Sequence, residues 1–326
     1  MYAEYYGLSA MPFQLTPDSR FFYGSTGHSR AISHLVYGLA QEEGFIVVTG
    51  EVGAGKTTLV ERLWSQLDRS TYTIARVMTT QVSADDLLRL AAGAFGVEEA
   101  ADKATLLRRI EATLRMHRAE GRRTLLVVDE VQGLSIAGLE ELRMLSNVSE
   151  DGRALLQTIL LGQPEFRITL ARPELNQLRQ RVLASYHLGP LSIEETRAYI
   201  EHRLHAVGWT GDRPRWDDGA FAAIHRHTAG IPRRINRLCS RVLLYGALEE
   251  SQVITGPMVG STSAELERDI GSEAAPGLPL STQSPAQLPG GELTGRVMAL
   301  ENAVQRQERV FERLLGLLGS FGRAST

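Results

Sequence analysis

The feature that most constrains the fold of this chain is a glycine-rich octapeptide between a short apolar run and a helix. The apolar run, residues 45–49, is rich in β-branched side chains and is typical of a buried strand. The octapeptide fits the pattern G-x-x-x-x-G-K-[ST] with Gly50, Glu51, Val52, Gly53, Ala54, Gly55, Lys56 and Thr57. A strand before it and a helix after it are the context of a phosphate-binding loop. We therefore expect an α/β domain of the P-loop class.

The residue types in this loop suit a triphosphate. Glycines let the backbone curl so that successive N–H groups face phosphate oxygens, and the following helix adds its positive N-terminal end. Lys56 is expected to reach the β- and γ-phosphates, and the Thr57 hydroxyl to take a place on Mg²⁺, with Thr58 completing the nucleotide-binding set. The alternative is a glycine turn that merely joins strand to helix. We therefore predict ATP and Mg²⁺ as cofactors.

A second motif lies about 70 residues further on, where an apolar strand ends in two acids, Asp129 and Glu130. Ligands of α/β sheets bind at the carboxyl ends of the strands, so both carboxylates are expected near the phosphates. Asp129 would hold the metal through water, and Glu130 would orient and activate the attacking water. The alternative is two acids that end a strand in solvent. The pair favours an ATPase over a protein that only binds nucleotide.

The order of predicted elements divides the chain. Strands alternate with helices over residues 1–190, which predicts a mostly parallel sheet. Residues 191–255 have helical periodicity and predict a small all-α lid. Residues 256–292 are rich in Gly, Pro, Ser, Thr and Ala, which predicts a flexible linker. Residues 293–320 carry apolar residues at heptad spacing, which predicts a coiled-coil or partner-docking helix, the alternative being an amphipathic helix that binds a membrane surface.

Charge and cysteine content bear on location and partners. The net charge is −3, so any nucleic-acid binding needs a local basic patch. The single cysteine, Cys239, cannot form an intramolecular disulfide, and neither a signal peptide nor a membrane-spanning apolar run is apparent. We expect a cytoplasmic protein that a partner would hold at the inner membrane.

Several local motifs together resemble one family. They include Tyr5-Tyr6-Gly7-Leu8, Pro12-Phe13, Thr16-Pro17-Asp18, Leu161-Gly162-Gln163-Pro164-Glu165 and Gly230-Ile231-Pro232-Arg233-Arg234. With the phosphate-binding loop, they resemble the GspA/ExeA-type secretion ATPases, and most of all the ATPase associated with exosortase (XrtA)/PEP-CTERM loci. The resemblance covers about residues 1–250.

The resemblance implies an AAA+ core with strand order 5-1-4-3-2 and subunits that pair across the nucleotide. It places Gln163 at the sensor-1 position, where many AAA+ proteins have Asn. Arg233 matches sensor 2 in the lid, and Arg181 is the expected arginine finger, with Arg179 in reserve. We expect neither the transmembrane segment nor the peptidoglycan-binding domain of the longer secretion ATPases, since neither is apparent after the predicted lid, so peptidoglycan binding is not carried over.

Two functions remain open at this point. The first is a self-associating ATPase that assists cell-envelope export or assembly, linked to exopolysaccharide and exosortase loci. The second is a DNA-associated regulatory ATPase of the transposition or initiation type. It would use a basic run in the lid, with the residues Arg226, His227, Arg233, Arg234, Arg237 and Arg241. The negative net charge disfavours nucleic acid as the main partner.

Overall fold

A five-stranded parallel sheet forms the centre of the molecule. The computed structural model describes residues 2–16, 18–78 and 82–271. The strands, numbered here β1 to β5 in chain order, are Phe45–Gly50, Tyr72–Met78, Arg123–Asp129, Leu156–Gly162 and Val182–Leu188. They lie side by side in the order β2-β3-β4-β1-β5, and every neighbouring pair is parallel. This confirms the expected order 5-1-4-3-2.

Helices cover both faces of the sheet, so that the strands are buried on two sides. Along β1, Phe45 and Val47 face one apolar cluster, whereas Ile46 and Val48 face another. This alternation follows from the two-residue period of a strand. A short α1 precedes these helices, and the bounds of α1 to α8 are Tyr2–Tyr5, Thr26–Ala40, Lys56–Trp64, Ala84–Ala94, Lys103–Ala119, Ile136–Leu145, Glu165–Leu170 and Asn176–Arg179.

The lid follows β5 and has its own apolar core. Its helices α9 to α12 are Ile193–His205, Asp218–Thr228, Pro232–Leu248 and Gly256–Gly271. Ser192 and Glu195 form a capping box at the start of α9, which satisfies backbone N–H groups that the first turn leaves unpaired. Two short strands, Arg215–Trp216 and Val253–Ile254, also pair within the lid.

The predicted linker, residues 256–292, was placed too early in the chain, because its first part belongs to the last helix of the lid. Residues 256–271 form α12, which packs on α10 and α11. Val259 is fully buried, and Thr262 and Ser263 are buried with it. The small side chains that suggested a linker by composition instead let α12 approach its neighbours closely. The remainder of the predicted linker, 272–292, and the predicted heptad helix, 293–320, lie outside the described residues.

The start of the chain packs on the lid, although residues 1–190 were predicted as one unit with the sheet. We call residues 2–16 and 18–25 the N-terminal strap. Tyr2, Tyr6 and Phe13 are buried in the apolar cluster of the lid. Arg203 of α9 donates to the carbonyl of Pro12 at 2.6 Å. The strap aromatics need an apolar surface to cover them, and the lid supplies that surface.

None of the helices in residues 2–16, 18–78 and 82–271 combines the length and apolar character that a membrane span requires.

Candidate nucleotide-binding site

A cavity of about 430 Å³ lies where the carboxyl end of the sheet meets the strap and the lid. The loop after β1 and the acids after β3 form its floor. Arg233 of α11 reaches it from the lid, and Phe22 and His28 line it from the strap side. The predicted site residues Lys56, Asp129, Glu130 and Arg233 therefore lie around one space.

The loop adopts backbone conformations that require glycine at two positions. Gly53 and Gly55 have φ angles of +83° and +102°, in the left-handed region. A Cβ on Gly53 would lie 2.3 Å from Cβ of Arg233, and one on Gly55 would lie 2.8 Å from Nε2 of His28. The absence of side chains thus leaves the loop open to the cavity and lets the lid approach it.

Lys56 is buried at the centre of the loop. Its Nζ donates to the carbonyl oxygens of Gly50 at 2.7 Å and Glu51 at 3.1 Å. Burial lowers the pKa of Lys56, and the carboxylates of Glu130, Asp129 and Glu51 oppose that shift. The ammonium group is therefore held by acceptors that a phosphate could replace.

The corner formed by Thr57 and Asp129 fits a hard divalent cation. Thr57 Oγ1 donates to Asp129 Oδ2 at 2.9 Å, and the backbone N–H of Glu130 donates to Asp129 Oδ1 at 3.0 Å. Oxygen ligands of this kind suit Mg²⁺, which is commonly held by one or two protein groups plus phosphate and water. Within the described residues, no group of three or more His, Cys, Asp or Glu side chains could hold a metal without such help.

Arg76 of β2 also contacts this corner, and sequence reasoning missed it. Its Nη2 donates to Asp129 Oδ2 at 3.0 Å, and its Nη1 lies 3.4 Å from Glu61 Oε1 on α3. The available signal was a lone arginine within the largely apolar run of β2, directly beside the strand that ends in Asp129.

Glu130 is held in a left-handed conformation with φ of +58°. A non-glycine residue there is strained, and such residues cluster at functional sites. Gln132 and Gln163 both donate to Glu130 Oε2, Gln163 from 3.2 Å. Burial alone raises the pKa of Glu130, but these hydrogen bonds and the charges of Lys56 and Arg233 bring it below its usual value. The carboxylate is therefore ionised and oriented by two amides.

Gln163 sits at the end of β4 and completes this network. Its backbone N–H donates to Gln132 Oε1 at 3.0 Å, so the two amides are coupled. Gln132, in the short 3-10 helix Val131–Gly133, was not among the predicted site residues. It lies two residues after Glu130, and only the tight turn there brings its side chain back to the carboxylate.

Arg233 joins the lid to the loop. Its backbone N–H donates to the Gly53 carbonyl at 3.2 Å, one residue after the start of α11 at Pro232. The side chain lines the cavity. The lid thus contacts the phosphate-binding loop through its own backbone as well as through a cationic side chain.

Arg181 and Arg179 lie away from this cavity. The carbonyl of Arg181 accepts from the N–H of Phe45, at the start of β1, and its side chain donates to Ser146. The loop follows the far end of β1, six strand residues away, which is roughly 20 Å at the usual rise per residue. Arg179 donates to Ala171 O and to Asn176 Oδ1. Neither arginine can serve the cavity of its own chain.

His28 lies against the loop and was not predicted as a site residue. It is 6% exposed, and its Nδ1 lies 2.7 Å from Ser25 Oγ. Burial lowers the pKa of His28, and Glu195 of the lid opposes that shift. His28 lies on the first turn of α2, and the packing of α2 on β1 and α3 brings this side chain to the loop, so spacing in the sequence gave no signal for it.

Comparison with known proteins identifies an AAA domain over residues 39–170. The chain is 39% identical over 246 residues to the general secretion pathway protein A of Aeromonas hydrophila. That match covers 75% of this chain and 44% of the relative, so the chain spans less than half the length of that protein.

Solved structures with a similar fold include the ORC2 protein of Aeropyrum pernix in ADPNP–ADP complexes, at 17% identity and a TM-score of 0.60. This match covers 79% of this chain and 72% of that one. Cdc6p of Pyrobaculum aerophilum matches at 14% identity and a TM-score of 0.61, over 77% and 71%. At such identities these structures show the fold alone. The chain has the α/β P-loop fold of AAA proteins, which implies nucleotide binding.

Proposed function

We propose that this AAA-fold chain binds ATP with Mg²⁺ in the cavity above the phosphate-binding loop and hydrolyses it to ADP and phosphate. The observation that carries the proposal is the convergence of Lys56, Asp129, Glu130 and Arg233 on one space of about 430 Å³. Each supplies a different requirement: a cation for phosphate, a metal ligand, a base and a lid contact.

Nucleotide binding would use groups whose hydrogen-bond partners within the protein can be exchanged for phosphate oxygens. Lys56 exchanges the carbonyls of Gly50 and Glu51 for phosphate oxygens, while the N–H groups of residues 53–58 surround the phosphates. Thr57 and Asp129 would hold the metal, which would supply positive charge against the phosphates. Arg233 contacts the phosphates from the lid and couples lid position to the nucleotide.

The hydrolytic step uses Glu130. Its carboxylate accepts from Gln132 and Gln163 at one oxygen, Oε2. An ionised carboxylate beside the γ-phosphate orients a water molecule and takes its proton. Gln163 holds Glu130 in position and contributes at the γ-phosphate as sensor 1.

Activity in the assembled state is proposed to need a second copy of the chain. Arg181 is too far from its own cavity to act there, and it is partly exposed at the amino end of the sheet. In a neighbouring subunit's site it would act as an arginine finger, with Arg179 as the reserve. The predicted heptad helix, 293–320, would strengthen such an assembly.

The biological role that the relative supports is secretion. Similarity to general secretion pathway protein A supports an ATPase that assists export or assembly at the cell envelope, cytoplasmic and held at the inner membrane by a partner. A finer proposal is a link to exopolysaccharide and exosortase/PEP-CTERM loci, which rests on the motifs of residues 1–250. Glycosyltransferase and exosortase genes beside this one would support that link, whereas a transposase gene would contradict it.

The direct test is nucleotide retention and phosphate release by the purified chain with magnesium. Glu130→Gln is expected to retain ATP and to hydrolyse it at least about 100-fold more slowly, because the base is lost. The exposed Glu98→Gln is the matched control and should turn over like wild type. If the wild-type chain neither retains ATP nor releases phosphate, the proposal fails; near-normal turnover in Glu130→Gln refutes the assignment of the base.

The finger is tested by mixing. Arg181→Ala and Glu130→Gln are each expected to be inactive alone, and a mixture should recover activity because an intact finger can then meet an intact base. No recovery at any ratio rejects a finger that acts between subunits, and recovery with Arg179→Ala in place of Arg181→Ala would move the role to Arg179.

A second candidate is a DNA-associated ATPase. Besides Arg233, five basic side chains of the predicted run are exposed: Arg226, His227, Arg234, Arg237 and Arg241. A gel shift at low salt that weakens steeply with added salt would support this function, since phosphate contacts release counterions. Arg241 already pairs with Asp269 at 3.4 Å, so Arg234→Gln and Arg237→Gln are the sharper variants. No shift at low salt would remove the candidate.

A further inference from the structure

The corner of the cavity that fits a metal already holds a cationic side chain. Arg76 Nη2 donates to the same oxygen of Asp129 that accepts from Thr57 Oγ1, at 3.0 Å and 2.9 Å respectively. The Asp129 side chain is only 3% exposed. A carboxylate buried to that degree is costly unless a positive charge or several donors compensate it.

The guanidinium of Arg76 carries a positive charge, so a divalent cation at Asp129 would meet like-charge repulsion while Arg76 remained there. Movement of the Arg76 side chain away from Asp129 would relieve that repulsion.

The structure places an alternative partner beside it. Glu61 Oε1 lies 3.4 Å from Arg76 Nη1, and the Glu61 side chain is 40% exposed. Glu61 stands four residues after Thr57 on α3, so the two side chains share one face of that helix. Arg76 therefore bridges two carboxylates, a buried one at the metal corner and a half-exposed one at the rim.

We propose that Arg76 is an internal counter-ion for Asp129 that competes with the metal: it neutralises Asp129 in the nucleotide-free protein and transfers to Glu61 when Mg²⁺ and ATP bind. Arg76 is thus a positioning residue that sets how much magnesium the site requires. This inference rests on the proposed function, because it presumes that the corner serves a metal–nucleotide complex.

The test measures nucleotide affinity against magnesium concentration, with a fluorescent ATP analogue and no turnover readout. In Arg76→Gln, the magnesium concentration for half-maximal tightening should fall about tenfold, the scale of one lost charge-assisted hydrogen bond. In Glu61→Gln this magnesium concentration should rise about threefold, because Asp129 is then the only one of the two carboxylates that is left to pair with Arg76.

Opposite shifts in the two variants separate this mechanism from a general structural effect. Arg69→Gln removes an exposed cation just beyond α3 and should keep the wild-type requirement. If Arg76→Gln does not fold, the rise in Glu61→Gln still tests the exchange, because Glu61 is at the rim.

An unchanged magnesium requirement in Arg76→Gln, or shifts of both variants in the same direction, overturns the inference while leaving nucleotide binding intact. Weaker binding of Arg76→Gln at every magnesium concentration would mean that Arg76 contacts phosphate, which also overturns it. If wild type binds no nucleotide, the proposed function fails and the inference fails with it.

Discussion

The floor of the cavity is built from two short local motifs, whereas its roof is built from segments that lie far apart in the chain. The floor, residues 50–57 with 129–130, consists of two short motifs, each at the carboxyl end of a buried strand. The roof is formed by the strap and the lid, where Arg203 bonds to Pro12 across 191 positions. Floor geometry therefore follows from local sequence on a rigid sheet, whereas roof geometry depends on tertiary packing between the two ends of the described chain.

The comparison predicts that a floor mutation removes binding outright. Lys56→Ala should weaken ATP binding more than about a thousandfold, because it deletes the only ammonium group at the phosphates. Equilibrium binding of a fluorescent nucleotide measures it. Lys103, the only other lysine of the chain, is half exposed and pairs with Glu141, so Lys103→Ala is the control. Retained affinity in Lys56→Ala would break the distinction between floor and roof.

A roof mutation should instead act through stability. Phe13 is 2% exposed in the lid cluster, and Phe13→Ala should reduce the free energy of unfolding by about 3 kcal/mol through the cavity it leaves. Urea denaturation provides the measurement. Met11, two residues earlier in the strap, is 50% exposed, and Met11→Ala should change stability by less than about 0.5 kcal/mol. Equal losses in the two variants would contradict the packing of the strap into the lid.

The energy of the contact between the floor and the roof, at Gly53 and Arg233, can be measured separately. Gly53→Ala should cost about 2 kcal/mol of stability, because it combines a left-handed backbone with a Cβ that would lie 2.3 Å from Arg233. Gly96 has a φ of +76° with nothing within 4 Å of an added Cβ. Gly96→Ala therefore reports the backbone strain alone, about 1 kcal/mol. The difference between the two losses of unfolding free energy, measured by urea denaturation, gives the cost of the clash with Arg233. Equal losses would mean that the lid does not contact the loop at Gly53.

The smallest effect is a pH dependence at the seam between strap and floor. Because burial lowers the pKa of His28, the unfolded chain binds the proton more readily, and stability falls as pH drops from about 6.5 towards the lowered pKa. His28→Asn should make this decline shallower, as measured by urea denaturation at several pH values. His117 and His202, whose pKa values burial also lowers, keep part of the slope. The exposed His227→Asn is the control, and an unchanged slope in His28→Asn would contradict the burial.

Much of the fold and the floor could be predicted from the sequence, since both depend on short patterns. The loop after β1 and the acids after β3 follow motifs whose flanking strands can be recognised as apolar runs, whereas the sheet order was implied by the resemblance to a family. Arg76 could not be assigned, because its role depends on β2 lying beside β3 and on Glu61 lying opposite. Composition misled at α12, where small residues suit close packing of helices as well as a linker.

The strap also changes what the lid can do mechanically. The chain passes between lid and sheet twice, once near Thr26 and again between Leu188 and Ser192, and Thr26 N bonds to Glu195 Oε1 at 2.8 Å where the crossings meet. Two adjacent connections favour rotation of the lid about the axis that joins them and restrict rotation about other axes. We therefore expect nucleotide binding to rotate the lid about this single hinge axis, and the N-terminal strap to move with the lid.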